Sequence, residues 1–145
     1  MTVDEVVAEA VKTLREEYGF DVQESQIPVI RYIVSDLGYD VKMFDKEPQL
    51  LAYRVDNIKP KVEYFARELG FDIEVVKYDP EFLGHSLDKR IKPRTEFLRS
   101  KKIKPSSLNF IRMSDAKFCK RIADAPLSEY EAFRDSYFAA NGIKS

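Results

Sequence analysis

Residues 27–56 of this chain read IPVIRYIVSDLGYDVKMFDKEPQLLAYRVD, and two later stretches repeat the pattern. They read IKPKVEYFARELGFDIEVVKYDPEFLGHSLDK at 58–89 and IKPRTEFLRSKKIKPSSLNFIRMSDAKFCKRI at 91–122. A fixed period of this length is typical of stacked supersecondary units, each of which buries its apolar face against the next. Equivalent residues lie 32 positions apart in the pairs Pro28 and Pro60, Gly38 and Gly70, Pro48 and Pro80, and Leu51 and Leu83, and 33 apart in Pro60 and Pro93.

Each unit is predicted to open with a helix that has a proline in its first turn. Proline suits that position because the early helical N–H groups have no intrahelical partner. Gly38 and Gly70 are expected to end the first two of these helices in the left-handed conformation. In the third unit Lys101-Lys102-Ile103 stands at that place, so its turn should differ.

A short helix and a short turn are predicted to complete each unit. Asp40 and Asp72 are placed to cap short helices at 41–46 and 73–77. The prolines that follow, Pro48 and Pro80, are expected to open 3₁₀ turns.

No segment shows sustained period-two alternation, so almost no sheet is expected. The predicted fold is all-α, a right- or left-handed helical-repeat solenoid of about three to four units. We expect a single domain over 1–145, with an N-terminal capping helix at 1–24, repeats at 25–57, 58–90 and 91–122, and a C-terminal capping helix at 123–145. Thr2 and Glu5 form a capping box at the start of the first helix.

The net charge of −1 conceals a strong asymmetry along the chain. Residues 1–56 carry 6 basic and 12 acidic side chains, residues 57–88 carry 4 and 7, residues 89–121 carry 12 and 2, and residues 122–145 carry 2 and 4. The charges are therefore −6, −3, +10 and −2. A basic excess confined to the third repeat favours a polyanionic partner there.

The candidate nucleic-acid-binding residues are the cations of that repeat. Thr95, Arg99 and Lys102 are predicted to share one exposed helix face, and Arg94 and Lys101 to reach outward around the apolar stripe. Such a pattern suits phosphate contacts, which give affinity without reading the base sequence. The alternative is a solvated basic face that balances the acidic repeats. The candidates are Arg90, Lys92, Arg94, Arg99, Lys101, Lys102, Lys104, Lys117, Lys120 and Arg121.

The remaining reactive residue types favour structural roles, and no enzyme site, metal site or cofactor is predicted. Cys119 is expected to be a buried small hydrophobe, and His85 to be a structural or surface histidine without a catalytic partner. No apolar run approaches the roughly 18–20 residues of a membrane span. Four aromatic residues at repeat-related positions favour the core over base stacking: Tyr39, Tyr53, Phe71 and Tyr78.

The repeats resemble the mitochondrial transcription termination factor (mTERF) family. The resemblance is carried by KPKVEYFARELG at 59–70, DPEFLGHSLDKRIKPRTEFLRSKKI at 79–103 and MSDAKFCKRI at 113–122. Within the second of these, SLDKRIKPR at 86–94 looks like the plant and algal branch. The resemblance implies an all-helical protein that binds duplex DNA or structured RNA in mitochondria or chloroplasts.

In this family, transcription termination or regulation, RNA splicing and ribosome assembly are the implied roles. The alternative is a protein-interaction module, for example a subunit of an organellar ribosome or another large complex, whose acidic repeats meet a protein partner. The acid-rich N-terminus, MTVDEVVAEAVKTLREEY, does not read as a transit peptide, so we expect an organellar form to be processed or a fragment.

Overall fold

The protein is all-helical in the part that its structure, a computed structural model, describes: residues 1–72 and 80–144. No strand occurs among these residues, which confirms the predicted all-α helical-repeat fold; a solenoid stays a prediction. The eight described α-helices are α1 (Val3–Glu16), α2 (Ile27–Arg31), α3 (Lys42–Lys46), α4 (Val55–Glu68), α5 (Lys92–Ser100), α6 (Asn109–Arg112), α7 (Asp115–Phe118) and α8 (Leu127–Ala140).

Short helical turns of two other kinds join or extend these helices. The 3₁₀ turns lie at Glu24–Gln26, Pro48–Ala52 and Pro80–Gly84, and the last two begin at the predicted prolines. The π-helical turns lie at Tyr32–Asp36, Leu87–Ile91 and Cys119–Ala123. The first repeat therefore shows the predicted order of helix, short helix and 3₁₀ turn. The short helix predicted at 73–77 lies outside the described residues, as does Tyr78.

The chain divides into two compact units, Met1–Glu81 and Phe82–Ser145. In the first unit α1 packs against α2 and the π-helical turn that follows it. The start of α1 is capped as predicted, because the Thr2 hydroxyl accepts a hydrogen bond from the backbone N–H of Glu5 at 3.1 Å. In the second unit α5 packs against α8.

One of the three prolines, Pro60, does not lie in the first turn of its helix, contrary to the prediction. Pro60 is the sixth residue of α4. Pro28 and Pro93 lie in the first turns of α2 and α5, as predicted, although the π-helical turn Leu87–Ile91 leads into α5 without a break. Proline lacks an N–H and crowds the carbonyl four residues earlier. The π-helical turn accommodates this, since the Lys92 N–H next to Pro93 donates to the Leu87 carbonyl five residues back.

The ends of the repeat helices use the left-handed conformation, as the glycine pattern predicted. Gly38 has φ +71°, and the N–H of Tyr39 donates to the Ile33 carbonyl at 3.0 Å, six residues back. In the third repeat Lys102 adopts φ +59° in place of glycine, and the N–H of Ile103 donates to the Leu98 carbonyl at 2.9 Å, five residues back. The third turn therefore differs as expected, being shorter by one residue and lacking glycine.

An aromatic cluster forms the core of the second unit. The ring centroid of Phe97, on α5, lies 5.2 Å from those of Tyr130 and Phe133, both on α8. Phe118, at the end of α7, lies 5.3 Å from Tyr130. Edge and tilted ring contacts of this kind add to the burial of large apolar surfaces. The cluster fixes α5, α7 and α8 against one another, and α5 and α7 carry four of the ten candidate cations: Lys92, Arg94, Arg99 and Lys117.

Candidate nucleic-acid interface

Arg94 is the predicted contact that the structure places in the core. Its side chain has no accessible surface. One terminal nitrogen, Nη1, donates to the Phe110 carbonyl at 2.6 Å and to the Ile111 carbonyl at 3.2 Å, and Nη2 donates to Asp115 Oδ1 at 2.8 Å. The prediction that Arg94 reaches outward is therefore wrong, because its guanidinium ties α5 to α6 and α7.

Asp115 is the counter-ion of Arg94, and sequence reasoning missed this role. Its second oxygen, Oδ2, accepts a hydrogen bond from Arg134 Nη1 on α8 at 2.8 Å. Burial raises the pKa of Asp115, but the hydrogen bonds and charges of Arg94 and Arg134 outweigh burial, so the pKa lies below its ordinary value. One signal was available: Asp115 is one of only two acids in the basic segment 89–121.

The exposed face predicted for Thr95, Arg99 and Lys102 is wrong at its first member. Thr95 is buried, and its hydroxyl donates to the Ile91 carbonyl at 2.7 Å. Arg99 is exposed but donates to Glu96 at 2.9 Å, three residues earlier on the same helix. Lys102 is exposed and has no ion pair among the described residues.

Three further candidates are engaged within the protein. Lys92 lies 3.6 Å from Asp88. Lys101 forms an ion pair with Glu129 of α8, and its ammonium lies 5.6 Å from the centre of the Phe97 ring. Arg90 is half-buried and donates to the Ile111 carbonyl at 3.3 Å. These cations retain positive charge near the surface, but they are less available to a polyanion than the sequence suggested.

The other candidates, together with Arg112, form an exposed group that we call the 104–121 surface. It consists of Lys104, Arg112, Lys117, Lys120 and Arg121. Arg112 was not among the sequence-predicted contacts; it donates to Asn109 Oδ1 at 2.7 Å. The other four have no ion pair within residues 1–72 and 80–144.

Two hollows in this surface share one arginine. The first has a volume of about 410 Å³ and is lined by Arg112, Ser114, Lys117 and Arg121, with Asn109 and Met113. The second, about 210 Å³, is lined by Lys104, the hydroxyl-bearing Ser106 and Ser107, and again Arg121. Basic side chains interleaved with hydroxyl and amide donors are the groups that contact phosphate oxygens. The surface is therefore suited to an extended polyanion.

The reactive residue types occupy structural positions. Cys119 is buried, and burial, followed by the charge of Asp115, raises the pKa of its thiol, so it behaves as a small hydrophobe. His85 follows the 3₁₀ turn Pro80–Gly84, just as Tyr53 follows the 3₁₀ turn Pro48–Ala52. Tyr39 is buried, as expected of a core residue.

Neither a metal nor a membrane site is found where the structure can be described. No group of three or more His, Cys, Asp and Glu side chains over 1–72 and 80–144 is placed to hold a metal ion. Over the same residues, no helix has the length and apolar character needed to cross a bilayer.

Comparison with known proteins gives one result. The family model described as mTERF matches residues 39–119, more than half of the chain. The matched range contains residues 39–57 of the first repeat, the whole of the second repeat and the third repeat up to Cys119. No significant match was found among the curated proteins or among the solved structures.

Proposed function

This chain belongs to the mTERF family, and from that premise we propose that it binds the backbone of duplex DNA or structured RNA through the 104–121 surface. Members of the family are nucleic-acid-binding helical-repeat proteins that are typically organellar and generally not enzymes. The proposed setting is gene expression in a mitochondrion or chloroplast: transcription termination or regulation, RNA splicing or ribosome assembly.

One observation carries the proposal: three exposed cations without ion pairs among the described residues, Lys104, Lys117 and Arg121, line two hollows that share Arg121. Surface cations of a folded protein are usually interspersed with acids. Here the neighbouring acid, Asp115, is already neutralised by Arg94 and Arg134. The positive charge of the surface is therefore left for a partner outside the chain. Lys102 adds a further exposed cation in the preceding turn.

The arrangement supports affinity more directly than sequence readout. Lys117 and Arg121 line one hollow at a spacing of four residues. Point charges and hydroxyl donors of this kind recognise phosphate oxygens, which every sequence presents. Any preference for particular sites would come from the shape of the nucleic acid, as it does for A-form duplexes and bent DNA.

Fluorescence anisotropy with labelled duplex DNA, duplex RNA and single-stranded RNA tests the proposal. With about four phosphate contacts, the dissociation constant for duplex DNA should rise about a hundredfold between about 50 and 200 mM salt. The variant Lys117→Glu/Arg121→Glu should weaken binding more than about tenfold and reduce the salt slope by about two.

The matched control is Lys42→Glu/Lys46→Glu. These two lysines are exposed, lie four residues apart on α3 and have no ion pair among the described residues. The control changes the net charge by the same amount as Lys117→Glu/Arg121→Glu. Because Lys42 and Lys46 lie outside the 104–121 surface, it should bind nearly as tightly as the unmodified protein. Equal losses in both variants would contradict the assigned surface. Absence of binding to all three probes at low salt would favour the protein-interaction alternative.

A further inference from the structure

A third cavity in the unit Phe82–Ser145, apart from the two hollows of the 104–121 surface, has features of a small-anion site. Its volume is about 500 Å³, within the roughly 300–1,000 Å³ of ligand sites. It is lined by four cations and two carboxylates: Lys89, Arg90, Arg94, Arg134, Asp115 and Asp135. The cavity shares no lining residue with the two hollows of the 104–121 surface, so it does not depend on the function proposed above.

The two carboxylates of this cavity are already engaged. Asp115 accepts from both Arg94 and Arg134 at 2.8 Å. Asp135 Oδ1 lies 3.8 Å from Arg134 Nε. The two positive charges in excess therefore belong to Arg90 and Lys89, neither of which forms an ion pair with a carboxylate in the described part of the chain.

The hydrogen-bond partners of Arg90 within the described residues are neutral groups. Its Nη1 lies 3.3 Å from the Ile111 carbonyl oxygen and 3.4 Å from His85 Nδ1, both at the long end for hydrogen bonds. Burial, followed by the nearby charge of Arg94, lowers the pKa of Arg90. A guanidinium nevertheless stays protonated. A half-buried cation held by weak neutral contacts is stabilised when an anion reaches it.

Two further polar residues, Arg94 and Ser86, line the cavity. Arg94 Nε–H is buried and has no hydrogen-bond partner within the described residues. Ser86 caps the continuous helical run Leu87–Ser100, and its hydroxyl accepts from the backbone N–H of Lys89 at 3.1 Å. Lys89, Arg90 and Ser86 therefore line one volume, and Arg94 lies buried in its wall.

We infer that this cavity binds a phosphate monoester, supplied either as a free nucleotide or as the phosphorylated end of a nucleic-acid strand. A phosphate monoester carries about −1.5 to −2 charge near pH 7, which matches the excess of two positive charges. A phosphodiester within a strand carries half of that charge. The planar fork of Arg90 suits paired hydrogen bonds to phosphate oxygens. Tyr130 and Phe138 provide apolar wall for the remainder of the ligand.

Isothermal titration calorimetry with adenosine monophosphate, adenosine and inorganic phosphate provides the first test, on the full chain. Adenosine monophosphate should bind, and adenosine should bind at least about tenfold more weakly because it lacks the phosphate. Arg90→Gln should weaken binding of adenosine monophosphate about tenfold or more. Lys89→Gln, at an exposed position where folding is not at risk, should weaken it to a smaller degree.

A pair of short oligoribonucleotides of one sequence, with a 5′-phosphate or a 5′-hydroxyl, separates the two sources of the phosphate. Tighter binding of the phosphorylated strand, lost in Arg90→Gln, assigns the cavity to strand ends. Binding of the free nucleotide without that difference assigns it to nucleotides. The Lys42→Glu/Lys46→Glu variant controls for net charge. Equal binding of adenosine and adenosine monophosphate, no binding of either phosphate source, or unchanged affinity in both Arg90→Gln and Lys89→Gln would overturn the inference.

Discussion

Replacing Asp115 by Asn should lower the free energy of unfolding by about 2–3 kcal/mol. Asn keeps the shape of the side chain but carries no charge, so Arg94 stays buried without its counter-ion. Two charge-assisted hydrogen bonds, each 2.8 Å long, become neutral or are lost. Removing one partner of a fully buried ion pair costs about 3–5 kcal/mol. Asp115 is 38% exposed, which places the expected loss below that range.

A second variant, Arg94→Met, distinguishes the loss of the ion pair from other effects of the substitution on the fold. Arg94→Met removes the buried charge but leaves the Phe110 carbonyl without the donor it has at 2.6 Å. The Ile111 carbonyl still accepts a hydrogen bond from Arg90. In the double variant Arg94→Met/Asp115→Asn no buried cation remains to be neutralised. Its loss of stability should therefore be about 1–2 kcal/mol smaller than the sum of the losses in the two single variants.

The assay is urea unfolding followed by circular dichroism, with amide hydrogen exchange to locate the lost protection within Lys92–Ser100. Glu96→Gln is the matched control on the same helix. Its pair with Arg99 has both side chains about 40% exposed, and such a pair is worth about 0.5 kcal/mol or less. If Asp115→Asn cost no more than Glu96→Gln, or if the losses of the two variants added up in the double variant, the structural role assigned to Arg94 would be refuted.

Three further predictions concern the pH dependence of stability and the ends of two helices. Burial, followed by the charges of Glu63 and Asp36, raises the pKa of Tyr32 from 10.0 to about 12, so its contribution to stability is fully present below pH 10 and is lost as the pH rises towards 12. Between about pH 8 and about pH 11, Tyr32→Phe should lose about 1 kcal/mol less stability than the unmodified protein in urea titrations; equal losses would contradict this. Gly38→Ala should cost about 1 kcal/mol through its positive φ, since nothing lies within 4 Å of an added Cβ. Lys102→Gly should raise the stability of the protein by a similar amount, measured by thermal unfolding. A lower stability of this variant would contradict the presence of backbone strain at Lys102.

Local signals were read well from the sequence. The Thr2 cap, the left-handed Gly38 and the 3₁₀ turn that begins at Pro48 each depend on the chemistry of one or two neighbouring residues. The outcome at Lys102 shows the limit of such reading, because a charged residue was driven into a conformation that the other repeats assign to glycine. Packing of the preceding helix decides that the chain must turn there.

The burial of Arg94 could not be read from helical spacing. Spacing gives the direction of the apolar stripe of α5, but the width of the buried face depends on what packs beside it. Here α8 packs against α5, and the carbonyl groups of Phe110 and Ile111 accept from Arg94, so Arg94 and Thr95 lie inside as well. The partners of Arg94 lie 16 to 21 residues away, beyond any local pattern.

The same spacing governs how the protein emerges during synthesis. Arg94 leaves the ribosome before Asp115, which is 21 residues later, and Arg134 follows another 19 residues behind. Until those carboxylate and guanidinium groups are present, the charge of Arg94 is better solvated by water than by the apolar interior. The second unit therefore completes its core only after α8 has been synthesised, because that helix carries Tyr130, Phe133 and Arg134.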